Sequence, residues 1–556
     1  MGQDTTSTPL VSIEGLRISL PLGSDRVMAV DGIDLSVKPG KILCIVGESG
    51  SGKSMTAHAI MGLVPKPLKV EGAIHFDGHN LADIAPSVHR GIRGSRIGMV
   101  FQEPMAALNP VMKVGKQIEE VFRFHNIPGP YDDRIVALLD SMGLPEPELL
   151  RHAYPFRLSG GQRQRVMIAM ALALDPALLI ADEPTTALDV TTQKQILNLL
   201  KTAQHERQMS IMLITHDFGV VAEIGDEVAV MQEGRIVERG AVKDVLHDPQ
   251  HPYTQTLLAA VPDLSPRPAA DAEPAPLLSA ANVSKTYRTR SGWFTPGREV
   301  HAVQNVSLQL GRGETVGVVG ESGSGKSTFA RIVVRLLTAD EGDVRLDGVD
   351  ANLLDLDTRQ LAPLRKRVQM VFQDPFASLN PRRTVFEIVA QGLRAHGVGR
   401  REARRRVEEL LDLVALDPSA ADRYPNAFSG GQRQRIGIAR ALALEPDVIV
   451  ADEPVSALDV SIQARVLDLF ADIQKRLGIG LLFITHDLRV AAQICDRVIV
   501  MRKGEVVEAG TSAQVLFDPQ HEYTRLLIDS IPGRGQMPKK HGPATAAAEA
   551  MERTRE

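Results

Sequence analysis

Cysteine is nearly absent from this chain: there are two, Cys44 and Cys495, in 556 residues. Both sit in apolar, strand-like runs. They read as small core residues, not as a disulfide or a metal-binding pair, and such usage fits a reducing cytosol. Long apolar runs are missing as well. The longest candidate, VMIAMALAL (166–174), stops at Asp175-Pro176, short of the roughly 18–20 residues a membrane-spanning helix needs. The N-terminus lacks a basic segment followed by an apolar one, so no secretory signal is expected. MGQDTT fits the loose myristoylation pattern and is read as coincidence. Nor is there a surplus of positive charge. The formal net charge of −5 gives no global field favouring nucleic acid. The Arg-rich run RREARRRVEELLDL (400–413) is read as a solvated helix face with Glu partners, with Val407, Leu410, Leu411 and Leu413 turned inward.

What the chain does have is length and self-similarity. Its 556 residues exceed one core, and 44% hydrophobic with 24% charged residues fits a globular protein. Lys53 recurs as Lys326, an offset of 273, and Gln102 as Gln373, an offset of 271. Ser159, Asp182 and His216 recur as Ser429, Asp452 and His486, each at 270, as does DPQHPYT (248–254) in DPQHEYT (518–524). A period this long marks a duplicated domain, not a solenoid. The repeats span 10–262 and 277–531, joined by a Pro/Ala-rich linker at 263–276 and flanked by a flexible N-terminus (1–9) and tail (532–556).

Each repeat reads as α/β. KILCIVG (41–47) and ETVGVVG (314–320) are buried strands feeding a glycine loop and a helix. ALLIADEP (177–184) and DVIVADEP (447–454) are strands ending in carboxylates, and SIMLITHD (210–217) and GLLFITHD (480–487) are strands ending in Thr-His-Asp. Open α/β sheets place ligands at such carboxyl ends.

GESGSGKS (47–54 and 320–327) satisfies the phosphate-loop pattern twice. Gly47, Ser49, Gly50 and Gly52, and Gly320, Ser322, Gly323 and Gly325, bring backbone N–H groups toward phosphate oxygens. The helix that follows adds its positive end, beginning with Ser54-Met55 in one repeat and Ser327-Thr328 in the other. Lys53 and Lys326 would reach the terminal phosphates, and Ser54 and Ser327 would put a hydroxyl on Mg²⁺. Asp182 and Asp452 suit a water-mediated Mg²⁺ contact, while Glu183 and Glu453 suit an attacking water. His216 and His486 stand 34 residues after those aspartates in both repeats, where a neutral imidazole would meet that water or the γ-phosphate. Gln102 and Gln373 sit in VFQEP and VFQDP, neutral side chains suited to sensing a ligand. LSGGQRQR (158–165) and FSGGQRQR (428–435) open helices with a second glycine turn. A helix N-cap accounts for Ser159 and Ser429 but leaves the remainder unexplained.

Together these segments, with TALD (186–189) and SALD (456–459), resemble the nucleotide-binding subunits of ABC transporters. The resemblance implies two tandem P-loop ATPase domains, each with a mostly parallel core sheet, an antiparallel β subdomain and a helical subdomain. It implies ATP and Mg²⁺ as cofactors, with Gln102 and Gln373 joining the metal's ligands. It implies Glu183 and Glu453 as catalytic glutamates and His216 and His486 as switch histidines. In the family, domains dimerise head to tail. Ser159, Gly160, Gly161 and Gln162 would therefore close the ATP held at Lys326, and Ser429, Gly430, Gly431 and Gln432 the ATP held at Lys53. The family stacks an aromatic ring on adenine. Tyr287 takes that place in the second repeat and Leu20 in the first, so weaker or less base-selective binding is expected at the first site.

VFQEPMAALNP, VFQDPFASLNPR and the DPQH-[PE]-YT segments resemble the dipeptide, oligopeptide and nickel import branch. Many members of that branch carry a cysteine cluster resembling an iron–sulfur site; with two cysteines, no such cluster is expected here. The implied role is the motor of a peptide importer, peripheral on the cytoplasmic face of the inner membrane. Two separate permease subunits and an external solute-binding protein would complete it. An exporter motor, or a soluble tandem ATPase acting on ribosomes or DNA, are the alternatives; the short linker, scarce cysteine and negative charge weigh against the latter.

Overall fold

Five-residue apolar runs form the centre of each repeat. In the computed structural model, which describes residues 8–21, 26–186, 188–267, 274–288, 299–456 and 458–538, the strands Ile42–Val46, Leu178–Asp182 and Ser210–Ile214 are buried at every position. So are Thr315–Val319, Val448–Asp452 and Gly480–Ile484. Continuous apolar runs of this kind suit parallel strands covered on both faces. The chain divides into two compact units whose main boundary falls between Val261 and Pro262; Asp189–Thr191 group with the second unit, and the chain from Pro532 on with the first. MGQDTT, residues 268–273 of the linker, the tail beyond 538, and Ala187 and Ala457 of the TALD and SALD segments lie outside the described residues.

In the first unit the six-stranded sheet runs, edge to edge, Arg235–Ala241, Glu227–Gln232, Ile42–Val46, Ser210–Ile214, Leu178–Asp182, Ile97–Val100. Only the first pairing is antiparallel. The second unit repeats the order with Glu505–Thr511, Arg497–Arg502, Thr315–Val319, Gly480–Ile484, Val448–Asp452 and Val368–Val371. The phosphate-loop strand is thus central, flanked by the strand ending in Thr-His-Asp. A separate antiparallel sheet accompanies each: Met28–Val37, Val11–Ser19, Val70–Phe76 and His79–Asn80 in the first, Glu299–Gly311, Pro276–Arg288 and Glu341–Leu346 in the second. The two leading strands, aligned by sequence, share one of their irregular points. Gly15 and Asn282 occupy the same place and both have left-handed backbones, with φ of 57° and 51°. The pairing register shifts there in each sheet. Helices including Val114–Phe124 and Gly160–Leu172, and Val385–Ala395 and Gly430–Leu442, make the helical region of each unit.

The Arg-rich run forms the helix Arg400–Leu413, burying Ala403, Val407, Leu410 and Leu411, with Leu413 packed partly against the core. Three of its arginines form ion pairs: Arg404 with Glu408 and Asp422, Arg405 with Glu409, and Arg406 with Glu409 and Glu445. Among the described residues no helix is long and apolar enough to cross a membrane. The linker begins against the second unit: Leu264 packs on its core, and the Arg267 guanidinium donates to Gln474 and to the Ile494 carbonyl.

The two cysteines are fully buried, but only Cys44 is in a strand. Cys495 ends the helix Leu488–Ile494, because the next strand starts only at Arg497. The two occupy opposite sides of one contact. A Cβ at Gly225 would lie 2.8 Å from the Cys44 Sγ, and a Cβ at Gly317 would lie 2.7 Å from the Cys495 Sγ. Gly317 corresponds to Cys44 and Cys495 to Gly225, so large and small residues have exchanged places between repeats. Gly317→Cys alone is expected to overpack this contact by about 1–3 kcal/mol. Adding Cys495→Gly should restore most of the lost melting temperature, a non-additivity that thermal denaturation reads directly.

Candidate active site

The loop after each central strand requires glycine for steric reasons. Gly47 and Gly320 have φ of 149° and 146°, and a Cβ there would lie 2.1 and 2.2 Å from the carbonyl oxygens of Met231 and Met501. Gly52 and Gly325, with φ of 106° and 104°, cap the helices Lys53–Ile60 and Lys326–Val333 without a side-chain cap. Ser49, Gly50, Ser322 and Gly323 form the exposed lip, and Ser54, Met55, Ser327 and Thr328 lie half-buried in the first helical turn. Lys53 is buried and its Nζ donates to the Gly47 and Glu48 carbonyls at 2.7 and 2.9 Å. Lys326 does the same to Gly320 and Glu321, both at 2.8 Å.

The strand ends converge on this loop. Ser54 Oγ donates to Asp182 at 3.1 Å and Ser327 Oγ to Asp452 at 2.7 Å. One residue on, the chain turns sharply: Glu183 and Glu453 both have φ of 46°, a left-handed conformation uncommon for glutamate. Their N–H groups donate to Ile214 and Ile484 of the neighbouring strand, which holds the turn in place. On Glu183 Oε2 three donors meet: Gln102 Nε2 at 3.0 Å, Thr186 Oγ1 at 2.8 Å and His216 Nδ1 at 3.4 Å. On Glu453 Oε2 the donors are Gln373 Nε2 at 2.9 Å and His486 Nδ1 at 3.2 Å. Ser456, which corresponds to Thr186, donates instead to the Glu453 backbone carbonyl. Both glutamines, expected beside the metal, therefore lie on the glutamates here.

The adjacent carboxylates are driven apart. Burial raises Asp182 and Asp452, helped by the charge of the neighbouring glutamate and opposed by the serine hydroxyl. Burial also pushes Glu183 up, but the hydrogen bond and charge of His216, the Thr186 hydroxyl and Lys53 outweigh it and hold Glu183 at about 2. Glu453 is likewise lowered: His486 and Lys326 overcome its burial. Burial lowers His486, yet its bond to Glu453 wins and raises it. The imidazole expected to be neutral is thereby drawn toward its charged form. A pair of acids with opposed shifts marks a division of roles.

The second glycine turn divides into structural and unexplained parts. Ser159 caps the helix Gly160–Leu172 and Gln162 bonds back to the Ser159 N–H, a complete capping box; Ser429 and Gln432 repeat it. The glutamine is thus explained by its own helix. Gly161 and Gly431 are explained by packing, since a Cβ would lie 2.7 Å from Thr192 and 2.2 Å from Ile462. Arg163 and Arg433 tie back to the carbonyls of Leu158 and Pro425. Gly160 and Gly430 remain: among the described residues a Cβ there would meet Leu188 at 3.9 Å and Leu458 at 3.7 Å, ordinary contacts. Tyr287 stands 42% exposed at the end of its strand, while Leu20 packs partly into the core of its own unit.

A family model described as ABC transporter matches residues 30–186 and 303–456. The chain belongs to the ABC transporter family. A second family model, the C-terminal region of oligopeptide/dipeptide transporters, matches this ABC protein at 237–291 and 507–553. It is 46% identical to the glutathione import ATP-binding protein GsiA of Salmonella paratyphi A, over 97% of this chain and 91% of that protein. It is 45% identical to the peptidoglycan transport ATP-binding protein YejF of Agrobacterium fabrum, over 95% and 97% respectively. It is thus an ATP-binding protein and an ATPase of this family.

Sequence reasoning missed two residues at this site. The Tyr253 hydroxyl accepts the Glu48 N–H at 3.2 Å, and the Tyr523 hydroxyl accepts the Glu321 N–H at 3.1 Å. The available signal was the recurrence of DPQH-[PE]-YT, which marked the branch without indicating what the tyrosine touches.

Proposed function

We propose that this ABC ATPase is the motor of a peptide importer, of the di/oligopeptide or glutathione-like class. The observation that carries the reading is that an oligopeptide/dipeptide transporter C-terminal region accompanies both ATPase repeats. Each repeat also has its full set of acting groups. In this reading the phosphate-loop N–H groups with Lys53 and Lys326 hold the nucleotide phosphates. Ser54 with Asp182, and Ser327 with Asp452, would hold Mg²⁺, with Gln102 and Gln373 joining; an all-oxygen set suits that hard cation. Glu183 and Glu453 polarise the attacking water, oriented by His216 and His486. Tyr287 stacks on adenine where Leu20 offers apolar contact only. Gly160 and Gly430, unexplained by packing, leave a helix N-terminus open to a phosphate. The family resemblance, taken from the sequence, assigns each such turn to the nucleotide of the other repeat.

Transmembrane permease subunits would supply the pore, two in number, fed by an external solute-binding protein. The chain would then sit peripherally on the cytoplasmic face of the membrane. Reconstitution tests this. With the co-purified permease in vesicles and ATP on the side of this chain, peptide is expected to accumulate on that same side. Movement in the opposite direction would make it an exporter motor, and co-purification with ribosomes in place of permease would favour the soluble alternative.

A further inference from the structure

The DPQH-x-Tyr-Thr segment makes the same turn and capping hydrogen bonds in both repeats, and none of the steps above uses it. In the first, both carboxylate oxygens of Glu238 accept N–H groups of the turn, from Gln250 at 2.7 Å and His251 at 3.2 Å. His251 then caps the helix Pro252–Ala260, its Nδ1 accepting the Tyr253 N–H at 3.2 Å. In the second, Glu508 accepts from Gln520 at 2.7 Å and His521 at 3.1 Å, and His521 caps Tyr523 at 3.0 Å. Arg502 lies over the Tyr523 ring, 4.7 Å from its centroid. Tyr523 is 2% exposed. A rigid turn anchored to the sheet edge therefore aims one hydroxyl at one amide of the phosphate loop.

The amide it meets is informative. Glu48 and Glu321 are the residues whose carbonyls the phosphate-loop lysines grip, at 2.9 and 2.8 Å. The same carbonyls accept the Ser51 and Ser324 N–H groups that close the loop's turn, both at 3.1 Å. The N–H that each tyrosine accepts belongs to the Gly47–Glu48 or Gly320–Glu321 peptide unit, whose carbonyl the lysine also holds, at 2.7 and 2.8 Å, so tyrosine and lysine grip opposite ends of one peptide unit. A phosphate that draws the ammonium away removes the lysine's grip and leaves the tyrosine's.

We propose that Tyr253 and Tyr523 are positioning residues for the phosphate loop, keeping its first turn in binding geometry when the lysine turns to the nucleotide. The proposal rests on reading GESGSGKS as the nucleotide cradle. It gives the oligopeptide-type C-terminal region a part in ATP binding.

The test uses the full chain with Tyr253→Phe and Tyr523→Phe combined, which keeps the rings and removes only the hydroxyls. The KM for ATP and the equilibrium Kd for ADP are expected to rise about five- to tenfold, the order of one lost hydrogen bond. The kcat should change less than twofold and the melting temperature little. Glu238→Gln with Glu508→Gln, which disturbs the anchoring turn, should shift KM in the same direction and add little to the tyrosine variant. Lys53→Ala with Lys326→Ala separates the two readings. If the lysine variant loses nucleotide while the tyrosine variant binds as wild type, the positioning role is overturned and the cradle stands. A lower melting temperature with unchanged KM overturns it equally. If the lysine variant still binds nucleotide normally, the cradle reading itself falls, and the tyrosine proposal with it.

Discussion

Glu183→Gln combined with Glu453→Gln is expected to lower steady-state ATP turnover by about 10²–10⁴-fold, the usual contribution of a general base, while equilibrium ATP binding is retained. The geometry makes these two side chains the convergence points of their sites. Gln102, Thr186 and His216 all aim at one oxygen of Glu183, and Gln373 and His486 at one oxygen of Glu453. Burial opposes ionisation, but the His216 hydrogen bond and charge prevail and hold Glu183 at about 2. Its folded-state value is depressed, so its contribution to stability is fully present above the ordinary carboxylate value of 4.5 and is lost as pH falls through about 2. The melting-temperature gap between wild type and the Gln variant should therefore narrow on acidification. Single-turnover and filter-binding measurements separate lost chemistry from lost binding; turnover retained within tenfold of wild type would remove the glutamates from the base role.

Gly325→Ala is expected to abolish nucleotide binding at the second phosphate loop and to cost at least about 2 kcal/mol of stability. The backbone there has φ of 104°, and an added Cβ would lie 2.1 Å from the Ala302 carbonyl oxygen. That contact is with backbone, so no side-chain rotation relieves it. Gly437→Ala is the matching control: it lies within the helix Gly430–Leu442, where an added Cβ meets nothing within 4 Å among the described residues, and alanine is the better helix former. Stoichiometry of ATP binding by equilibrium dialysis and thermal melting of both variants check the pair. Full two-site stoichiometry in Gly325→Ala would contradict the role of this loop.

The parts of the fold legible in sequence were those with short-range or periodic signals. The five-residue buried strands, the glycine loops and the carboxylate strand ends all lie where the apolar runs and their flanking residues place them. The helix at 400–413 follows from apolar residues three and four apart. Cys495 lies outside a strand because the helix Leu488–Ile494 runs up to it and the strand begins only after Asp496; apolar composition does not show where a helix hands over to a strand. Gln162 and Gln432 read as part of an unexplained motif because a capping box is a matter of side-chain rotamer. Tyr253 and Tyr523 escaped because their partners, Glu48 and Glu321, are about 200 residues earlier in the chain.

The sequence by itself determined that this protein is a duplicated phosphate-loop ATPase with the same candidate acting groups in each copy. Residue types at fixed spacings carry that information, and duplication tests each spacing against itself. Tertiary structure alone decided what each group does to its neighbour. Desolvation and the direction of a hydrogen bond split Asp182 from Glu183 and draw His486 toward its charged form. Close packing against Thr192 accounts for Gly161, while among the described residues nothing crowds Gly160. These outcomes depend on distances of a few ångströms between segments remote in sequence, and no local pattern encodes such distances.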